Sequence, residues 1–132
     1  MIKVQNYDLY RRDIRKLVES KPREVSEAIC AEEPAEMIQA LCKIIRYRAG
    51  DVTVGTWDDV RQSLIEEMAD TLISIDILKI LYDISDAAVD EMLVSKNTRN
   101  MQRLRDANAG RMSEDVKRAM AAAHECCGRC VD

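Results

Sequence analysis

Phenylalanine is absent from this 132-residue chain, which has a single tryptophan and four tyrosines. Sheets draw on aromatic and β-branched side chains, so an apolar fraction carried by Leu, Ile, Val, Met and Ala suits helix packing instead. Also missing is any run near the roughly eighteen consecutive apolar residues that a membrane helix needs. The opening Met1-Ile2-Lys3-Val4-Gln5-Asn6 lacks the apolar region of a secretory signal. A cytoplasmic protein with no membrane partner is therefore expected. A basic excess is lacking as well: 20 Lys and Arg stand against 24 Asp and Glu, for a net charge of −4. That balance argues against nucleic acid or an anionic membrane surface as the main partner. Five cysteines form no paired framework. Cys30 and Cys42 fall on a helical pattern and read as small buried thiols of a reducing compartment.

The length allows one domain with a real core. Leu9, Ile14, Leu17 and Val18 predict an amphipathic helix from about Tyr7 to Glu19, stopped by Ser20-Lys21-Pro22. A longer pattern runs from Arg23 to Ala49 through Val25, Ile29, Met37, Leu41, Ile44 and Ile45, with Gly50 as its cap. Pro34 lies inside it and predicts a kink or a break. Asp51 to Thr56 reads as the loop of a helical hairpin. The next helix is expected from Asp58 or Asp59 to Leu81, apolar nearly all round from Leu72 onward and buried on several sides. Asp83-Ile84-Ser85 supplies a turn. A fourth helix follows from Asp86 to about Arg105, with Ala87, Val89, Met92, Leu93 and Met101 as partial core. Asn108-Ala109-Gly110 predicts a break, and Ser113 to Glu125 a weaker terminal helix. The expected fold is all-α, a helical bundle of four to five helices completed by oligomerisation. Its domain spans 1–110, and 111–132 form a C-terminal helix and a mobile Cys-rich tail.

Four acidic i,i+3 pairs occur, at 24/27, 33/36, 67/70 and 83/86, about as many as chance gives on helices. Surroundings separate the middle two. Glu67 and Asp70 run straight into Leu72, Ile73, Ile75, Ile77, Leu78, Ile80 and Leu81, where unpaired carboxylates are expensive. Glu33 and Glu36 fall along a row with Ile29, Met37, Ala40 and Ile44. At this spacing each pair shares one helix face, so two antiparallel helices can converge four carboxylates. Such an oxygen-rich cluster suits Mg²⁺, with Mn²⁺ as a substitute. Farther on, Lys96, Asn100 and Arg103 recur at i, i+4 and i+7, an ammonium, an amide and a guanidinium on one face that can grip a polyphosphate.

These pieces, Glu32-Glu33-x-x-Glu36, Glu67-x-x-Asp70 leading into an apolar helix, and Lys96-Asn97-x-x-Asn100-x-x-Arg103, together resemble the all-α nucleoside triphosphate pyrophosphohydrolases, the group of MazG-like proteins and dimeric dUTPases. The resemblance covers roughly Glu32 to Arg103. It implies that Glu33, Glu36, Glu67 and Asp70 bind Mg²⁺, that Glu36, Glu67 and Asp70 serve catalysis with Glu36 a reasonable general base, and that Lys96, Asn100 and Arg103 hold the phosphates. The implied reaction cleaves a (d)NTP to a (d)NMP and pyrophosphate in a homodimer or homotetramer. Two departures leave the register open: Pro34 lies between the first two glutamates, and the spacer between the acidic pairs is long. Glu32 could replace Glu33 if a kink rotates that turn.

Trp57 opens the third helix and could stack on a nucleobase or cap the helical core. His124-Glu125-Cys126-Cys127-Gly128-Arg129-Cys130 offers zinc donors, but crowded into one stretch with no second half they suit an oxidation-prone tail better. The alternatives are a phosphoribosyl-nucleotide pyrophosphohydrolase, which would share the metal site, and a non-catalytic helical oligomeric interaction protein.

Overall fold

The computed structural model describes residues 6–127, with side-chain exposure described through residue 121. Among the described residues there are four α-helices and no strand, so the fold is all-α. Compactness divides the chain into two units, Met1–Asp86 and Ala87–Asp132.

Helix α1 spans Tyr7–Glu19. The Asn6 side chain accepts a hydrogen bond from the Leu9 N–H at 3.3 Å and so satisfies one of the free donors of the first turn. Asn6 sits at φ 59°, a left-handed conformation that asparagine tolerates better than most residues. At the other end the Ser20 hydroxyl donates to the Leu17 carbonyl at 2.7 Å.

Helix α2 runs unbroken over Arg23–Arg48 with Pro34 inside it. The expected break does not occur. An internal proline costs about 3 kcal/mol, and packing along α3 is what offsets it. Gly50, at φ 88°, then turns the chain. Asp51 accepts from the Thr53 N–H at 2.9 Å and pairs with Arg46 at 2.6 Å, shaping a short 3₁₀ turn over Val52–Val54. At Gly55 the φ of 102° and the Asp59 carboxylate, 3.1 Å from where a Cβ would stand, leave room only for glycine.

Helix α3, Trp57–Leu81, begins with a capping box. Thr56 Oγ1 accepts from the Asp59 N–H at 3.2 Å, and the Asp59 carboxylate accepts from the Thr56 N–H at 2.8 Å; two end donors are thereby satisfied reciprocally. The strong cap lets the helix start one residue earlier than the sequence pattern predicts.

α2 and α3 pack antiparallel along their lengths, and α1 lies on α3. The register is visible in three contacts: Tyr82 Oη donates to Glu27 at 3.0 Å, Cys30 Sγ approaches the Ser74 carbonyl at 3.5 Å, and the Tyr47 and Trp57 rings lie 5.8 Å apart. Ile14, Cys30 and Ile77 form the buried centre, with Val18, Ile73, Leu78 and Leu81 packed around it. Val60, Ala40 and Ile44 are buried nearer the hairpin loop. Polar contacts fix α1 in place: Tyr10 Oη donates to Asp76 at 2.8 Å, and Lys79 bridges Asp76 at 2.8 Å and Asp86 at 3.1 Å. Burial, then the hydrogen bond to Asp76 and its charge, push the Tyr10 phenol well above its ordinary range.

Three expectations are corrected. Cys42 is exposed although Cys30 is buried; twelve residues at about 100° each place it roughly 120° around the helix from Cys30. Asn108-Ala109-Gly110 does not break the chain, because α4 is continuous over Asp86–Cys127. Asparagine and glycine inside a helix cost only about 1 kcal/mol apiece, and neighbours such as Ala107 and Arg111 favour the helical state. Residue 110 thus lies inside α4. Finally, Ala87, Met92, Leu93 and Met101, expected as partial core, are exposed, and Val89 is half-buried. Gly128 and Cys130 of the Cys-rich stretch lie outside the described residues, as do the side chains of His124, Cys126 and Cys127.

Candidate functional site

The antiparallel register sets Glu33 on α2 opposite Asp70 on α3, and Glu67 lies one turn before Asp70. One carboxylate oxygen from each of Glu33, Glu67 and Asp70 lies within 4.8 Å of the other two. Glu33 and Glu67 are half-buried and Asp70 is exposed. Burial first, and then the charges of Asp70, Glu36, Glu67 and Glu32, push the Glu33 carboxyl above its ordinary range. No lysine or arginine among the described residues forms an ion pair with any of the three.

An all-oxygen, uncompensated acidic group is the donor set that a hard divalent ion takes. Two oxygens on one Mg²⁺ are at most about 4.2 Å apart, twice the ~2.1 Å bond length. Small rotamer changes would therefore close the set from 4.8 Å.

The four carboxylates read from the sequence are not placed alike. Glu33, Glu67 and Asp70 come together, and Glu36 stays outside their group on the exposed side of α2, one turn on. Its charge still acts on Glu33. Glu33, rather than Glu32, joins the two carboxylates of α3, on a helix that continues through Pro34.

Trp57 stands at the hairpin end of α3, packed on Tyr47 with the Arg48 guanidinium 6.0 Å from its ring. Ten residues separate it from Glu67, about 15 Å along the helix axis, so it is not brought to the carboxylates. Lys96, Asn100 and Arg103 belong to the second unit. There they form an exposed row on α4.

A neighbouring feature was not signalled by any motif. Ser26 and Ser74 are 4% and 3% exposed, and together with Glu33 and Asp70 they line a pocket of about 170 Å³. Their spacing along the chain carries no signature; only the α2–α3 register unites them.

No protein-family model matches this chain, and no curated protein and no solved structure matches it. Among the described residues no helix is long and apolar enough to cross a membrane.

Proposed function

We propose that the chain is a Mg²⁺-dependent nucleoside triphosphate pyrophosphohydrolase that releases a nucleoside monophosphate and pyrophosphate. The observation that carries this reading is the convergence of Glu33, Glu67 and Asp70, from two helices, to within 4.8 Å. With no matching relative, the donor chemistry of the chain itself supports the function. Mg²⁺ bound there supplies Lewis-acid polarisation of phosphoryl oxygens and neutralises charge on the leaving pyrophosphate. Glu33, Glu67 and Asp70 hold that charge in place. Glu36, exposed one turn from Glu33, accepts the proton of the water that attacks the α-phosphorus. Lys96, Asn100 and Arg103 carry the phosphate-binding part of the proposal on their chemistry alone.

The same proposal includes a homo-oligomer. Ile38, Leu41 and Ile45 on α2 and Ile65, Met68, Leu72 and Ile75 on α3 recur at helical spacing, and each is 37–59% exposed. An apolar surface of that extent favours cover by another chain. The cytoplasm, where Cys30 and Cys42 stay reduced, is the proposed location.

The test is release of pyrophosphate and monophosphate from a panel of ribo- and deoxyribonucleoside triphosphates with Mg²⁺. Turnover that Glu67→Gln and Asp70→Asn each abolish is the expected result; turnover that survives both variants overturns the assignment. A phosphoribosyl-nucleotide belongs in the same panel, since it would use the same metal chemistry. The exposed Met92, Leu93 and Val94 on α4 favour one second reading, a non-catalytic helical interaction protein. That reading predicts no turnover and no change in melting on adding Mg²⁺.

A further inference from the structure

A threonine inside a helix can satisfy its hydroxyl by donating to the carbonyl one turn back, as Thr98 does to Val94 at 2.9 Å. Thr71 in the middle of α3 does not. Its Oγ1 is shut away from solvent and has no hydrogen-bond partner among the described residues. Buried hydroxyls are normally paired, and one left unpaired costs stability. Even the Cys30 carbonyl, which Pro34 deprives of its usual helical donor, does not accept from it. A donor is therefore held inside the protein with nothing to donate to.

Its place in the fold says what the acceptor is. Thr71 follows Asp70 directly and stands one turn beyond Glu67, about 40° round the helix from it. The register between the helices supplies a third carboxylate: Cys30 Sγ lies 3.5 Å from the Ser74 carbonyl, and three residues on along α2 is Glu33 while three back along the antiparallel α3 is Thr71. The free donor is thus walled in at the level of the Glu33, Glu67 and Asp70 group. An ionised carboxylate only accepts, and it has more lone pairs than one metal contact uses. We propose that Thr71 is a positioning residue for the metal site: in the Mg²⁺-bound protein its hydroxyl donates to the Glu33 carboxylate and holds that group with one oxygen toward the ion. Glu33 is half-buried and comes from the opposite helix at the level of Thr71, so α3 fixes it only through a contact of this kind. Groups that hydrogen-bond a ligand from behind set its orientation and raise metal affinity. Because the hydroxyl is unpaired without metal, the bond is gained on binding and adds to affinity rather than to the fold. This rests on the metal site of the pyrophosphohydrolase reading and not on the reaction assigned to it.

The experiment titrates Mg²⁺ alone into the full native chain, Thr71→Val and Thr71→Ser by calorimetry, and records the metal-free melt of each by circular dichroism. Valine keeps the branched shape and removes the donor; serine keeps the donor. In Thr71→Val the Kd for Mg²⁺ is expected to rise about 10–100-fold, the usual effect of removing a group that orients a metal ligand. Its metal-free melting temperature should equal or exceed the native one, since no hydrogen bond is lost. Thr71→Ser should bind Mg²⁺ as the native chain does. A valine variant with the native Kd, or one that loses affinity only together with metal-free stability, overturns the proposal, and so does a serine variant that binds no better than the valine one. Pyrophosphate release from the nucleotide panel, measured on the same samples, separates the two readings. Binding weakened by Thr71→Val in a chain that turns over no nucleotide upholds the role of Thr71 and overturns the hydrolase; unmoved binding in a chain with Mg²⁺-dependent turnover does the reverse. No binding of Mg²⁺ by the native chain overturns both.

Discussion

Glu33→Gln should stabilise the metal-free protein, the reverse of what most substitutions at half-buried helix positions do. The side chain keeps its size and loses its charge. Glu67 and Asp70 each place an oxygen within 4.8 Å of a Glu33 oxygen, and two unit charges at that distance repel by about 0.9 kcal/mol at the dielectric of water. Two such neighbours sum to about 1.7 kcal/mol, which screening at physiological ionic strength cuts to about 1 kcal/mol. For a chain of this length that raises Tm by about 3–6 °C.

The pH dependence has a definite sign. The folded-state pKa of Glu33 lies above its ordinary value of 4.5, so in the window just above 4.5 the folded state holds more protons than the unfolded one. Stability contributed by this group is present at low pH and lost as pH rises through the raised pKa. The advantage of Glu33→Gln therefore vanishes near pH 4 and grows toward pH 7. Mg²⁺ at ten times its Kd should stabilise the native chain by about 1.4 kcal/mol and the variant by much less. Melts followed by circular dichroism at pH 4 and 7, with and without Mg²⁺, read all of this. A variant that melts lower than the native chain at pH 7, or that keeps the full Mg²⁺ shift, would show that Glu33 is not under charge repulsion from Glu67 and Asp70.

Three further outcomes follow from the fold. Ile77→Ala opens a cavity in the α1–α3 core, where the side chain is 9% exposed, and should cost about 2–5 kcal/mol in urea unfolding; a loss under 1 kcal/mol would contradict that packing. Thr56→Ala removes one half of the α3 capping box and should cost about 1 kcal/mol, again read by urea unfolding. The hydrogen bonds from Thr53, then that from Arg46, hold the Asp51 carboxyl down at about 2. Its contribution to stability is present above the ordinary value of 3.8 and lost as pH falls through about 2; a carboxyl-carbon NMR titration with a midpoint near 3.8 would show that the loop network is not formed.

Helix boundaries were legible where local chemistry dictates them. The stop at Ser20-Lys21-Pro22, the turn at Gly50 and the start beside Thr56 and Trp57 all follow from caps and backbone preferences that act within a few residues. Asn108-Ala109-Gly110 does not end α4, because breaker signals are weak energies that a long run of good helix formers outweighs. At Pro34 the helix does not break, because the proline's penalty is local, whereas the packing that offsets it is tertiary. The acidic spacing pointed to Glu33, Glu67 and Asp70, since a helix face is a property of sequence. The exclusion of Glu36 from their group depends on how α2 is rotated against α3, which no spacing encodes. The Tyr10–Asp76 contact and the Ser26–Ser74 pocket join positions far apart in the chain. Their residue types are ordinary, so only the folded register reveals them.

Hydrolysis as proposed directs a water molecule to the α-phosphorus at the Glu33, Glu67 and Asp70 site. Turnover of a nucleoside triphosphate with Mg²⁺ in ¹⁸O-labelled water, with products resolved by mass spectrometry, tests it directly. One ¹⁸O is expected in the nucleoside monophosphate, none in the pyrophosphate, and no product from Asp70→Asn. Label in the pyrophosphate, release of inorganic phosphate instead, or an absence of products from the native chain would contradict it.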